Sequence, residues 1–155
     1  MPEKTVLENI LGVAIQREEA AAALYASAAK QVEPGPVLDL LIELKQQEIG
    51  HKLRLQQLLD KGTFRRISAV QRRQVEDLKL TDYLKEEALD PETDLQGVLI
   101  VAGKREKASH DLYAGLAQVT DDAEVNELFR FLANEELGHK HRIETMYEEL
   151  FLQDN

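Results

Sequence analysis

Two short patterns invite a chemical reading first: Glu48 with His51, and Glu136 with His139. A spacing of three puts both side chains on one helix face about one turn apart. A carboxylate beside a neutral imidazole there is a grip for a divalent metal ion. One Glu-x-x-His is a weak signal, because glutamate is common in helices. Its repetition is a stronger one. Slid along itself by 88 residues, the chain matches without a gap from Val13–Arg54 to Val101–Arg142, with 17 of 42 positions identical. Composition alone would give roughly two or three. The identities include Arg17/Arg105, Glu18/Glu106, Tyr25/Tyr113, Glu48/Glu136, Gly50/Gly138, His51/His139 and Arg54/Arg142. Helix propensity would repeat alanine and leucine, but it does not favour matching Glu, His and Tyr at fixed positions. The chain is therefore read as a duplicated helical hairpin.

The elements that must position these residues follow from their end signals and periodicity. A first helix is announced by the capping-box pattern Thr5-Val6-Leu7-Glu8 and stops before Glu33-Pro34-Gly35-Pro36. A second starts at Pro36, carries Leu40, Leu41, Leu44, Leu55 and Leu58, and ends at Lys61-Gly62. The stretch from Thr63 to Pro91 has a weaker pattern and is assigned to a crossover, with Asp90-Pro91 as a breaker. A third helix begins near Thr93 or Asp94 and runs to Thr120. A fourth, boxed by Glu124, runs from about Asp121 to Leu150. The expected fold is all-α, a single domain over 1–155. It is an antiparallel four-helix bundle of two hairpins, 5–62 and 93–152, joined by a crossover at 63–92.

Glu18 and Glu48 lie about 15 residues either side of the first turn, so at about 1.5 Å per residue they sit at one height in an antiparallel pair. Glu106 and Glu136 flank the second turn in the same way. In one bundle, Glu18, Glu48, His51, Glu106, Glu136 and His139 then meet in a single midplane. Four buried carboxylates need compensation, because an unpaired charge in a dry interior costs several kcal/mol even after relaxation. Two divalent ions supply it, and oxygen and imidazole donors suit iron, or alternatively manganese.

Composition agrees. The chain of 155 residues carries a formal charge of −10 and no cysteine, so disulfides, thiolate sites, iron–sulfur clusters and cysteine nucleophiles are excluded. Nucleic acid and anionic membranes would be repelled. No uncharged run approaches the roughly 18 residues of a membrane span, and the start, Met-Pro-Glu-Lys-Thr, lacks a leader pattern. A cytoplasmic address is expected.

At this level of detail the sequence resembles the rubrerythrins and their ferritin-like relatives. The resemblance rests on Ala14-Ile15-Gln16-Arg17-Glu18 with Tyr25 seven later and Lys104-Arg105-Glu106 with Tyr113 seven later. The two Glu-x-x-His helices and Leu80-Thr81-Asp82-Tyr83-Leu84 complete it. It implies that Glu18 and Glu106 are terminal carboxylates, that Glu48 and Glu136 can bridge two iron ions, and that His51 and His139 serve one ion each. It also implies reduction of peroxide or dioxygen. Two departures stand out. The cysteine-rich rubredoxin module of full-length rubrerythrins has no counterpart, so electrons would come from an external donor protein. Ser109 stands where rubrerythrins carry a further glutamate, with His110 about 40° around the helix from Glu106 as a candidate neighbour of the site.

Other residues carry alternatives. Tyr25 and Tyr113 either donate hydrogen bonds to metal-bound carboxylates or are core tyrosines with a satisfied hydroxyl. Glu19, Glu135 and Glu144 fall off the shared stripe and are read as solvated, and His141 as facing outward. Arg65-Arg66 and Arg72-Arg73 read as an internal ion-pairing patch. Three functions compete: a di-iron oxidoreductase, a non-catalytic iron-handling protein with at most ferroxidase activity, and a helical module with structural metals. A homodimer is the default assembly.

Overall fold

Cap chemistry sets the ends of four long helices: α1 (Val6–Ala29), α2 (Pro36–Lys61), α3 (Leu95–Val119) and α4 (Ala123–Tyr147), the last followed by a π-helical turn at Glu148–Leu152. They are seen in a computed structural model that describes residues 6–62 and 93–152; no strand occurs among the described residues. The expected crossover, its Leu80–Leu84 segment and the paired arginines lie outside the described residues, as does Thr5.

Proline opens α2, where its missing N–H would be unpaired in any case, and Gly62 closes it with φ 68°, a left-handed conformation that glycine adopts without strain. Asp94 caps α3 by accepting a 2.9 Å hydrogen bond from the Gly97 amide. This cap is tight: a Cβ on Gly97 would lie 2.5 Å from Thr93 Cγ2. The fourth helix differs in detail from expectation. Its cap is Asp122, accepting from the Val125 amide at 3.0 Å. Glu124 is then only the second helical residue, too early to reach back for a capping box. It pairs instead with Lys61 at 3.1 Å, joining the ends of α2 and α4. At the other terminus the α-helical pattern stops at Tyr147 rather than Leu150 and gives way to the π turn.

The two hairpins are α1 with α2 and α3 with α4, and they meet where α1 packs on α3 and α2 on α4. Two apolar layers fix the directions. One joins Ile10, Leu11 and Ala14 of early α1 with Leu55 and Leu58 of late α2, Leu112 and Leu116 of late α3, and Val125 and Phe129 of early α4. The other joins Leu24 and Ala28, Leu41 and Leu44, Val98 and Leu99, and Ile143 and Met146, the opposite ends of the same helices. Every packed neighbour is thus antiparallel, and α3 starts at the opposite end of the bundle from where α2 stops. Burying each of these leucines or isoleucines contributes about 1.5–3 kcal/mol. The two layers leave a slab between them, and that slab is polar.

Candidate metal centre

Each helix contributes at mid-length to this slab: Glu18 from α1, Glu48 and His51 from α2, Glu106 from α3, Glu136 and His139 from α4. All six are 1–3% exposed. They form two overlapping groups, Glu18, Glu48, His51 and Glu136, and Glu48, Glu106, Glu136 and His139, within each of which one donor atom per residue lies within 4.8 Å of the others. Glu48 and Glu136 belong to both.

The arrangement has a pseudo-twofold character that follows the duplication. His51 Nδ1 lies 2.8 Å from Glu136 Oε1, and His139 Nδ1 lies 2.7 Å from Glu48 Oε1. The contacts to the outer carboxylates are 3.6 Å for His51 to Glu18 and 3.7 Å for His139 to Glu106. The rings stack with centroids 5.6 Å apart. Both tyrosine hydroxyls are satisfied by carboxylates of the cluster. Tyr25 donates to Glu106 Oε1 at 2.5 Å and Tyr113 donates to Glu18 Oε1 at 2.6 Å, each crossing between α1 and α3.

Burial drives every one of these carboxyls toward its neutral form, and the neighbours decide the outcome. For Glu48, burial and then Glu18 and Glu106 act together and push the carboxyl well above its usual range. For Glu136, burial is reinforced by Glu18, Glu106 and Glu48, with the same result. For Glu18, burial is outweighed by Glu48, His51 and Tyr113, which hold it low. Glu106 is held low against burial by Glu136, His139 and Tyr25. Both tyrosine hydroxyls are pushed well up, by burial first and then by the carboxylates around them, so they remain protonated donors.

The donor set fits a pair of hard or borderline divalent ions, with oxygen and imidazole only. A second sign points the same way. Glu18 Oε2 and Glu106 Oε2 are buried without a hydrogen-bond partner, a costly state for carboxylate oxygens unless something cationic faces them. With Oε1 of each held by a tyrosine, Oε2 is the atom left for an ion.

Around this inner set the halves differ. His139 Nε2 meets Gln47 Oε1 at 2.6 Å. His51 Nε2 instead faces Glu135 Oε1 at 3.7 Å, and Phe131 lies edge-on to its ring with centroids 6.2 Å apart. Glu135 was expected to be solvated; its side chain is 36% exposed and turned to His51. The signal that could have found it was its pairing in the repeat, since Gln47 and Glu135 each immediately precede a glutamate of the cluster. The other outward assignments hold: Glu19 binds Lys52 and Glu144 binds Lys140 at the surface, and His141 is exposed.

Two further expectations resolve differently. Ser109, in place of a glutamate, accepts a 3.2 Å hydrogen bond from the buried Arg17 guanidinium, which also reaches the Arg105 carbonyl at 3.5 Å. His110 does not join the cluster. Its Nδ1 donates to the Ala133 carbonyl at 2.8 Å and so ties α3 to the backbone of α4.

The model of the rubrerythrin family matches residues 9–147, from early α1 to the last residue of α4. No curated protein and no solved structure matches the chain. No helix among the described residues is long and apolar enough to cross a membrane.

Proposed function

The chain belongs to the rubrerythrin family, and from that premise we propose that its core holds two iron ions, manganese being the alternative, and reduces peroxide or dioxygen with electrons from a separate donor protein. The observation that carries this reading is the overlap of the two four-residue groups at Glu48 and Glu136. Two ions each need their own histidine and their own outer carboxylate, and they can share the two central ones. When bound, such a pair supplies two one-electron redox equivalents and Lewis acidity at adjacent positions.

The chain's own residues prepare the site for this. Glu18 with His51, and Glu106 with His139, are the donors assigned to one ion each. Tyr25 and Tyr113 pin the Oε1 atoms of the outer carboxylates and so orient Oε2, the role that outer hydrogen bonds have at metal sites generally. The apolar layers above and below exclude water, which strengthens each of these electrostatic contacts. A purely structural metal role is disfavoured, because apolar side chains would fill the slab without burying four carboxylates.

The deciding experiment is anaerobic loading with ferrous ion, followed by hydrogen peroxide and a reductant. Two ions per chain, rapid stoichiometric oxidation and repeated turnover support the oxidoreductase. A single oxidation that stalls, or iron accumulating beyond two ions per chain, would favour iron handling. Oxidation no faster than that of free ferrous ion would refute the oxidoreductase, and a chain that binds no ferrous ion would refute both.

A further inference from the structure

A cation bound for the cluster has to pass between helices, because apolar layers close it above and below. Within each hairpin the two helices pack far more closely than the hairpins do on each other, which leaves the α1–α3 and α2–α4 seams. Among the described residues the first is laced shut at the height of the cluster. Tyr25 and Tyr113 cross it to Glu106 and Glu18, and Arg17 crosses it to Ser109 and to the Arg105 carbonyl. The α2–α4 seam is joined near its ends by Lys61 with Glu124 and by Arg142 with Glu43. At mid-length Gln47 covers the outer edge of His139 at 2.6 Å. No hydrogen bond covers the outer edge of His51. Its Nε2 is buried without a partner, and the Glu135 carboxylate facing it stands 3.7 Å off, beyond hydrogen-bond range, with a side chain 36% exposed. One turn before Glu135, Phe131 lies edge-on to the His51 ring and beneath the Arg54 guanidinium. The same ring walls a cavity of about 430 Å³ on this seam, which Glu124 and Glu127 also line.

We propose that this gap in the α2–α4 seam is the entrance by which divalent cations reach the cluster, and that Glu135 receives each ion and hands it to the His51 and Glu18 end. The inference rests on the two-ion reading above. Moving an ion from water into a dry interior in one step is costly. A carboxylate half in water lets the ion exchange part of its hydration for protein oxygen before it goes deeper, and its charge draws cations to the opening. Gln47, the equivalent of Glu135 in the repeat, brings no charge and closes its side of the seam. Glu135 belongs to neither of the two groups that can hold an ion. It therefore acts on passage and not on the bound state, and passage works in both directions. The ring of Phe131, 38% exposed, fills the space between the cavity and His51 and sets the width of the opening.

The test uses the whole chain, stripped of metal, with cobaltous ion, which takes oxygen and imidazole donors and reports its coordination by visible absorption. Stopped-flow mixing gives the rate of uptake, and mixing the loaded protein with a chelator gives the rate of release. Glu135→Gln keeps the shape and removes the charge. It should slow uptake about tenfold and release by the same factor, with two ions still bound at the end. Phe131→Ala should speed both. Glu19→Gln, which removes a surface charge on the other side of α2, should leave both rates as in the wild type. Uptake by Glu135→Gln at the wild-type rate, equal slowing by Glu19→Gln, or no gain from Phe131→Ala would overturn the proposal alone. So would slower uptake with unchanged release, which would make Glu135 a ligand. Fewer than two cobaltous ions in the wild type would overturn the two-ion reading and this inference with it.

Discussion

Tyr113→Phe removes one hydroxyl and leaves the ring where it is, stacked on Phe129 with centroids 6.4 Å apart. Little apolar area changes, so the loss isolates one contact, the 2.6 Å hydrogen bond to Glu18 Oε1. Glu18 is buried and its other oxygen already lacks a hydrogen-bond partner, so the substitution leaves a carboxylate with neither oxygen held by the tyrosine that served it. A hydrogen bond to a charged group is worth about 1.5–3 kcal/mol, and an abandoned buried acceptor belongs at the upper end. For a chain of this length each kcal/mol moves the midpoint by roughly 2–4 °C, so the metal-free protein should melt about 5–10 °C lower at pH 7. Tyr25→Phe, acting on Glu106 through the matching 2.5 Å bond, should behave alike. Acid supplies a further check. Tyr113 helps hold the Glu18 carboxyl below its ordinary value of 4.5. That stabilisation is present above about 4.5 and is lost as the pH falls through the lowered value. The gap between wild type and variant should therefore be full at pH 7 and shrink in acid. Calorimetric melts of both proteins across that range are the assay. A midpoint lowered by less than about 1 °C at pH 7 would show that the hydroxyl does not hold the carboxylate and that the tyrosine is merely a core ring.

The raised carboxyls of Glu48 and Glu136 give the opposite pH dependence: folded metal-free protein binds more protons than the unfolded chain, so stability should decline as the pH rises above 4.5, and Glu48→Gln with Glu136→Gln should flatten the decline in melts from pH 5 to 8. Metal loading should reverse the trend, since the ligands must be deprotonated to bind. Glu136→Ala should cut metal content measured by elemental analysis far more than His141→Ala, whose side chain is exposed on the same helix; equal losses would place the site on the wrong face. Gly97→Ala should lower the melting midpoint by the equivalent of about 1–3 kcal/mol, because its Cβ would meet Thr93 Cγ2. Gly103→Ala, with nothing within 4 Å of the added carbon, should raise it by the equivalent of about 0.5–1 kcal/mol.

Which residues reach the core was legible because the repeat converts a one-dimensional offset into a three-dimensional symmetry. Residues 88 apart were forced to the same height, and helix geometry then placed Glu18 opposite Glu48 and Glu106 opposite Glu136 without any knowledge of packing. Helix ends were legible where a single residue decides them, as at Pro36 and Gly62. They slipped where two neighbours compete, as Asp121 and Asp122 do for one cap. Partners of the tyrosines were not legible, because helical spacing gives the stripe a residue occupies and not the helix it will face. Glu135 was misassigned for a related reason. Taken alone it lies about 100° from Glu136, which reads as solvent, yet in a narrow bundle a long side chain at that angle reaches the imidazole of the neighbouring helix.

The same comparison separates what the duplication preserved from what it released. Among the positions whose equivalents match are Glu18/Glu106, Tyr25/Tyr113, Glu48/Glu136 and His51/His139, whose side chains touch across the midplane, where changing one partner would strand a buried charge at a cost of several kcal/mol. Positions whose equivalents differ lie one layer out. Gln47 corresponds to Glu135, Ala21 to Ser109, and Ala22 to His110. Each of the three polar residues on the second-hairpin side serves a different partner: Glu135 faces His51, Ser109 accepts from Arg17, and His110 holds the Ala133 carbonyl. Their equivalents in the first hairpin are two alanines and an amide, and that amide, Gln47, meets His139. The donors of the cluster are therefore symmetric in kind and distance, while the residues that support them differ between the two hairpins.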